Sequence, residues 1–201
     1  MRLVFFDFDK TLTKIDTVLL FGFYIGIKRR KYSKIVSMCA DALMAKFNFL
    51  SNQEFKERFA WLFLAGERLD EITIVCNNFY DKYSDRLMKR NILQVLDGHR
   101  TKGDRVWIVS ANYDCFLEPL RRRFAIEGIL ASQTEIIHDR LTGNLLGKVC
   151  HGREKVARVK ERFGEEAVSG AVAYGDSKSD LYLLRAVKEG CLVTKQKLRY
   201  L

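Results

Sequence analysis

The stretch Leu3-Val4-Phe5-Phe6-Asp7-Phe8-Asp9-Lys10-Thr11-Leu12-Thr13 joins a short apolar run to two closely spaced acids near the start of the chain. Val and Phe favour strands, so the stretch predicts a buried strand over residues 3–6. Side chains two apart on a strand point the same way, so Asp7 and Asp9 should project together where the strand ends. Burying paired carboxylates is costly unless a cation or a reaction uses them. A cation site beside a nucleophile is the simplest interpretation, and a turn with two solvated acids is the alternative.

Two later apolar runs also end in polar residues. The run 106–109 predicts a strand that ends in Ser110-Ala111-Asn112, and the run 171–174 predicts one that ends in Gly175-Asp176-Ser177-Lys178-Ser179-Asp180. Between them, a helical pattern that includes Lys155 opens at residue 152 and continues to about residue 163. Alternating strands and helices predict an α/β fold with a doubly wound parallel sheet, whose sites form at the carboxyl ends of the strands. The separate polar stretches should therefore converge on one crevice.

A DxDxT motif, a serine, a lysine on a helix and a GDxxxD motif, in this order, resemble the haloacid dehalogenase (HAD) superfamily over almost the whole chain. Within it, the chain resembles subfamily IB, which contains the phosphoserine phosphatases. The resemblance implies a Rossmann-like core that carries an inserted helical type-1 cap domain. Dehalogenases of this superfamily lack the second aspartate of DxDxT, whereas Asp9 is present here, and this difference favours a phosphatase.

The segment between the first two motifs is predicted to be helical. A capping box at Ser51-Asn52-Gln53-Glu54 begins one helix, and no proline interrupts residues 14–91. We therefore predict a cap domain over residues 14–91 and a core domain formed by residues 1–13 and 92–201. The remaining elements expected in the core are a strand at 129–132, a hairpin within 134–147 and a last strand at 191–194.

The resemblance assigns a role to each motif residue. Asp7 matches the nucleophile that forms an aspartyl-phosphate, and Asp9 matches the general acid and base. The residues implied to bind the phosphate are Thr11, Ser110, Asn112 and Lys155. The implied Mg²⁺ ligands are Asp7, the carbonyl of Asp9 and Asp176, with Asp180 in support.

Charge arithmetic supports the metal. Four neighbouring aspartates carry −4 and one lysine returns +1. A dianionic substrate therefore needs a divalent ion to approach them, and an all-oxygen ligand set suits Mg²⁺.

The substrate is open between two interpretations, of which the first is a soluble, phosphoserine-like small molecule. In phosphoserine phosphatases an acid nine residues after the nucleophile contacts the substrate amine, and Asp16 occupies that position. A cap arginine contacts the carboxylate, for which Arg58 is the candidate. Lys10 departs from the serine that is usual in that family.

The second interpretation is a lipid phosphate monoester. The apolar segment Thr17–Ile27, followed by Lys28-Arg29-Arg30-Lys31, is similar to phosphatidylglycerophosphate phosphatases of the superfamily. Such an enzyme would make peripheral contact with the inner membrane surface, although the segment is alternatively a buried cap helix. A phosphotransferase that passes phosphate to an alcohol is a third possibility.

Composition narrows the class of protein. The chain has 201 residues, of which 48% are hydrophobic, and its longest apolar run of 11 residues is shorter than the ~20 that span a bilayer. Five scattered cysteines without a CxxC pattern indicate a reducing compartment, so we expect a cytoplasmic protein. The net charge of +10 is spread over several helices without a nucleic-acid motif, which argues against nucleic-acid binding.

Overall fold

A six-stranded sheet forms the centre of the computed structural model, which describes residues 1–194 and 198–200. Its strands are β1 (Leu3–Phe6), β2 (Arg105–Tyr113), β3 (Gly128–Ser132), β6 (Val172–Gly175), β7 (Glu189–Val193) and β8 (Leu198–Tyr200). A separate antiparallel pair consists of β4 (Thr134–Ile137) and β5 (Arg140–Leu145). The strand order in the large sheet is β3-β2-β1-β6-β7-β8. All neighbours in it are parallel except β7 and β8. The predicted α/β class is confirmed.

Helices cover the sheet and fill the segment between its first two strands. Five helices lie between β1 and β2: α1 (Thr17–Lys28), α2 (Tyr32–Lys46), α3 (Asn52–Phe63), α4 (Leu69–Leu87) and α5 (Arg90–Thr101). Five follow β2: α6 (Asp114–Leu117), α7 (Pro119–Arg123), α8 (Arg153–Phe163), α9 (Glu165–Ser169) and α10 (Leu181–Ala186). The predicted capping box begins α3, where the Ser51 hydroxyl accepts from the backbone N–H of Glu54 and the Glu54 carboxylate accepts from that of Ser51.

The domain limits stay a prediction. Helix α5 starts at Arg90 and therefore crosses the expected boundary between residues 91 and 92. In addition, one hydrophobic cluster contains side chains from both predicted domains, such as Phe6 of β1 and Phe59 of α3.

One predicted element needs correction. The strand expected at 191–194 is β7, but it is not the last strand, because β8 pairs antiparallel with it. Residues 195–197, which connect the two, lie outside the described part of the chain. An edge strand of three residues is too short to produce a recognisable alternation in the sequence.

The apolar segment Thr17–Ile27 forms most of α1, and one side of this helix is buried against its neighbours. A Cβ atom added to Gly22 would lie 2.2 Å from the sulfur of Met38, and one added to Gly26 would lie 2.5 Å from Cγ1 of Ile35. These glycines allow α1 and α2 to approach closely. Of the two possibilities for this segment, the structure supports the buried cap helix.

The carboxyl ends of β1, β2 and β6 bring the motif residues together. The backbone N–H of Asp7 donates to the carbonyl of Tyr174 at 2.9 Å and extends the pairing of β1 with β6. The chain then leaves the sheet in an irregular turn over residues 8–12, in which Lys10 has a left-handed conformation with a φ of 60°. Asp9 lies in this turn, beyond the carboxyl end of β1. Ser110 lies on neighbouring β2, and Asp176 directly follows β6.

Candidate active site

A buried lysine connects two carboxylates at the centre of the site. The ammonium of Lys155, in the first turn of α8, donates to Oδ1 of Asp7 and to Oδ1 of Asp180, each at 2.6 Å. All three side chains are buried. Asp180 also accepts hydrogen bonds from the hydroxyl and backbone N–H of Ser177. Both oxygens of Asp180 are therefore occupied by protein donors, so this residue fixes the lysine and the turn after β6.

A different set of residues holds Asp9, the second aspartate of the motif. Oδ1 of Asp9 accepts from the backbone N–H and the hydroxyl of Thr17 at 2.8 and 2.7 Å, and Oδ2 accepts from Nδ2 of Asn112 at 3.1 Å. Asn112 is 1% exposed and also donates to the Thr17 hydroxyl. The amide group of Asn112 thus orients Asp9, and the phosphate contact of Asn112 stays a prediction. Thr17 was not predicted from the sequence, since its role depends on how α1 begins beside the motif.

Thr11 is also buried and does not line the crevice. Its hydroxyl is fully buried and is 3.0 Å from Oδ2 of Asp7 and 3.2 Å from Oδ1 of Asp176. This hydroxyl therefore positions the two carboxylates, and the phosphate contact of Thr11 stays a prediction. Ser110 is 1% exposed and contributes to the wall of the crevice, and its contact with phosphate stays a prediction.

The acidic cluster fits a hard cation. Carboxylate oxygens of Asp7, Asp176 and Asp180 all lie within 4.8 Å of one another. Burial raises the pKa of Asp176, and the nearby Asp180 raises it further, although Thr11 donates to it. A divalent ion would relieve this repulsion, and an oxygen-only donor set is the type that Mg²⁺ prefers. The residues present therefore fit the predicted metal.

Burial also displaces the titration of the two motif aspartates. Desolvation raises the pKa of Asp7 to about 7 against the opposing effect of Lys155. Desolvation and then the charge of Asp16 raise the pKa of Asp9 to about 6. Burial disfavours the charged forms of Lys155 and Asp180 as well, but their mutual attraction prevails, so the pKa of Lys155 is raised and that of Asp180 is lowered. The site thus contains one firmly held ion pair and two carboxyl groups that can change protonation near neutral pH.

The crevice above these groups has a volume of about 180 Å³. Its walls come from both the predicted core and the predicted cap: Asp7, Asp9, Lys10, Asp16, Asn52, Lys56, Ser110, Ala111, His151, Lys155, Asp176, Ser177, Ser179 and Asp180. Asp16, a predicted cap residue, is among them, and its carboxylate also caps α1 by accepting from the backbone N–H of Val18.

Lys56 is the most informative wall residue that the sequence analysis missed. It is 5% exposed, and its ammonium lies 5.3 Å from the centre of the Tyr113 ring. Within the described residues this ammonium makes no hydrogen bond or ion pair. Desolvation lowers the pKa of Lys56, and the charges of Asp16, Asp9 and Asp7 oppose that effect. Lys56 is therefore a buried cation that faces the crevice with unused donors.

Arg58, the arginine predicted to contact substrate, lies elsewhere. Its guanidinium pairs with Asp41 of α2 at 2.8 Å, and it lines a separate groove of about 710 Å³ that also contains Trp61. Arg58 is not among the residues that line the crevice around Asp7 and Asp9, and its contact with substrate stays a prediction. A signal for Lys56 did exist: with Phe59 and Phe63 it forms the i, i+3, i+7 stripe of α3 that faces inward.

The sheet and the site together define a class, an α/β protein with clustered aspartates at its strand ends and the buried Lys155 beside them. The chain belongs to the haloacid dehalogenase-like hydrolase family, whose model matches residues 4–185. The resemblance predicted from the motifs is thereby confirmed.

Individual relatives agree with this assignment. The chain is 30% identical to Protein CicA of Caulobacter vibrioides over 188 residues, which cover 93% of this chain and 83% of that protein. It is 24% identical to a phosphoserine phosphatase of Streptococcus thermophilus over 191 residues, 94% of this chain and 81% of that one. These relatives confirm, at the level of class, the predicted enzyme of the phosphatase type.

Solved structures show the same fold. A Bordetella pertussis protein of unknown function superposes with a TM-score of 0.80 at 25% identity and covers 92% of this chain and 86% of its own. A substrate-bound phosphoserine phosphatase superposes with a TM-score of 0.65 at 16% identity and covers 92% of this chain and 82% of its own. No helix in the described part of the chain is long and apolar enough to cross a membrane.

Proposed function

We propose that the protein is a Mg²⁺-dependent phosphomonoester phosphatase that acts through an aspartyl-phosphate on Asp7. The observation that carries this proposal is the pair of buried carboxylates after β1, the first held by Lys155 at 2.6 Å and the second held separately by Thr17 and Asn112. Because different residues hold the two carboxylates, each carboxylate can have its own role in the reaction. The proposal is tested by measuring phosphate release from a panel of phosphoamino acids, sugar phosphates, nucleotides and phospholipid monoesters with Mg²⁺ and with excess EDTA.

The two aspartates have different roles in the proposed reaction. A carboxylate oxygen of Asp7 attacks phosphorus, the ester P–O bond breaks, and Asp9 gives its proton to the leaving oxygen. Asp9 then removes a proton from water, whose oxygen attacks the same phosphorus and releases Asp7. A pKa of about 6 for Asp9 suits both directions of transfer near neutral pH. Lys155 keeps one oxygen of Asp7 fixed and balances charge that builds on the phosphoryl group.

Asp7, Asp176 and the carbonyl of Asp9 would hold Mg²⁺, while Asp180 supports them through Lys155 and Ser177. When bound, the ion supplies positive charge that lets a phosphate dianion approach the aspartates. Replacement of water by fixed donors at the crevice strengthens these contacts.

A small substrate with a second anionic group fits the crevice best. The volume of the crevice, about 180 Å³, is below the ~300 Å³ at the lower end of sites for drug-sized ligands. Lys56 offers an unpaired ammonium and Asp16 a carboxylate on the same wall. A phosphorylated amino acid would present a carboxylate to the first and an ammonium to the second. The named phosphoserine phosphatases among the relatives support this choice.

The buried position of α1 supports a soluble substrate over a lipid. Arg29 and Lys31, two of the four basic residues after this helix, form ion pairs with Glu67 at 2.9 and 2.7 Å. The five cysteines are unpaired, which supports a cytoplasmic location. Product analysis with added alcohols separates hydrolysis from phosphotransfer, because a phosphotransferase would yield a new phosphate ester.

Mg²⁺ binding should weaken as the pH falls below 7. Burial raises the folded pKa of Asp7 to about 7, so below that pH the metal must displace a proton from this carboxyl. For one displaced proton, the apparent affinity should fall about tenfold per pH unit. Titration calorimetry of the metal-free protein at pH 7.5, 6.5 and 5.5, in buffers of different ionisation enthalpy, measures both affinity and proton release. A pH-independent affinity would show that Asp7 is not a ligand.

Lys56→Met should raise KM for a phosphoamino acid about 30-fold or more, because removal of one partner of a buried charge pair costs at least ~2 kcal/mol. Activity on a small aryl phosphate, which lacks the second anionic group, should change much less. The matched control is Lys82→Met, because Lys82 is an exposed lysine of α4 that does not line the crevice, and it should leave both substrates nearly unaffected. If Lys56→Met lost the same fraction of activity on both substrates, a role of Lys56 in substrate selection would be contradicted.

A further inference from the structure

The outer side of α2 carries a row of apolar side chains that face solvent. Tyr32, Val36, Leu43 and Phe47 are 60%, 70%, 57% and 61% exposed. Their positions i, i+4, i+11 and i+15 lie within about 60° of arc on a helix of 3.6 residues per turn. We call these four residues the α2 stripe. It runs the full length of the helix from its first residue to its C-cap.

The stripe continues into the turn after the helix. Phe49 is 78% exposed, and its backbone N–H donates to the carbonyl of Met44, so the turn that carries it is hydrogen-bonded to the helix. Met44 itself is 41% exposed. By contrast, Met38 is the only fully buried apolar side chain of α2. Soluble proteins rarely leave such a continuous apolar row uncovered unless it contacts a partner or a membrane.

Basic residues accompany this surface. Three exposed basic side chains on or next to α2 form no ion pair within the described residues: Lys28, Arg30 and Lys46. The single acid between residues 28 and 50 is Asp41. Asp41 is 2% exposed and is neutralised by Arg58. The exposed side of α2 therefore combines apolar area with positive charge and presents no free carboxylate.

We propose that the α2 stripe and Phe49 dock on an anionic lipid surface. Helices with an apolar face flanked by Lys and Arg lie in the plane of such a surface, where apolar burial and attraction to the headgroups act together. A second copy of this chain is a poorer occupant, because two copies would bring these basic residues together without acids to balance them.

This surface is distinct from the segment that the sequence analysis associated with membranes. One side of α1 is buried while Phe23 and Ile27 are 40% and 59% exposed, and Arg29 and Lys31 are neutralised by Glu67. The residues of the α2 stripe do not line the catalytic crevice. Docking and catalysis can therefore be tested separately.

The test is co-sedimentation of the full chain with vesicles of phosphatidylcholine alone or of phosphatidylcholine and phosphatidylglycerol in a 3:1 ratio. We expect binding to the anionic vesicles only, and weaker binding as salt is added. The variant Val36→Ser/Leu43→Ser/Phe47→Ser should reduce binding more than tenfold. The variant Arg30→Gln/Lys46→Gln should reduce it about 30-fold, since each basic residue near such a surface is worth ~1 kcal/mol.

Ile74→Ser provides the matched control, because Ile74 is also exposed but lies on α4. It should bind vesicles like the unmodified chain, and all variants should retain hydrolysis of a small aryl phosphate as evidence that they fold. Equal sedimentation of the stripe variant and the unmodified chain would overturn the proposal. So would a concentration-dependent dimer that the stripe variant abolishes without vesicle binding by either protein.

Discussion

Asp7→Asn is expected to lower phosphatase kcat by roughly 10⁴-fold or more, the scale of loss when a catalytic nucleophile is removed. An amide oxygen is a very poor nucleophile, so no covalent phosphoenzyme should form. The unmodified protein, quenched in acid during turnover, should yield a phosphorylated chain that hydroxylamine cleaves, whereas the variant should yield none. Asp9→Asn should instead lower kcat by ~10²–10⁴-fold, the usual contribution of general acid–base catalysis.

The loss in Asp7→Asn should not result from unfolding. The folded pKa of Asp7, about 7, lies above the 3.8 of an aspartate in the unfolded chain, so ionisation of this group costs stability as the pH rises between the two values. An amide in its place avoids that cost at pH 7, and the thermal midpoint should be no lower than that of the unmodified protein. Turnover at the original rate, or a phosphoenzyme in the variant, would refute covalent catalysis by Asp7.

The parts of the site that follow strand ends were predictable from the sequence. The apolar run before Asp7 specifies a buried strand, so both aspartates were expected where it ends. Asp9 reaches the crevice from the irregular turn over residues 8–12 and not through the alternation of side chains on the strand. Parallel pairing then brings Ser110 and Asp176 to the same edge. Each of these inferences requires only the apolar runs in the sequence and the topology of a parallel sheet.

The cap contacts were not predictable in the same way. Lys56 and Arg58 are two residues apart on α3, so their side chains leave the helix about 200° apart and cannot both face the crevice. The basic character of both residues gives no information on which of them does, and only the apolar stripe of Phe59 and Phe63 indicates that Lys56 faces inward. Similarly, whether Asn112 meets phosphate or Asp9 depends on Thr17, which reaches the site only through the start of α1.

Lys155→Met is expected to have the largest effect on stability. Lys155 bonds two buried carboxylates, and its removal leaves Asp7 and Asp180 close together without a counter-charge. Loss of one partner from a buried ion pair costs about 3–5 kcal/mol, which should appear in the free energy of unfolding at pH 7. The activity should fall as well, because Asp7 would lose the group that orients it and lowers its pKa.

The pH dependence identifies the cause of that loss. The contact with Lys155 lowers the folded pKa of Asp180, so its contribution is present above the unfolded value of 3.8 and disappears as the pH falls below it. In the variant both carboxyl groups should bind protons more readily when folded, so the stability deficit should shrink between pH 7 and pH 5. Lys160→Met on the same helix is the matched control, since its exposed pair with Glu165 should contribute under ~1 kcal/mol. A deficit of the same size at both pH values would indicate lost side-chain packing in α8 rather than unbalanced charge, and denaturant titrations of the two variants at pH 7 and pH 5 distinguish these causes.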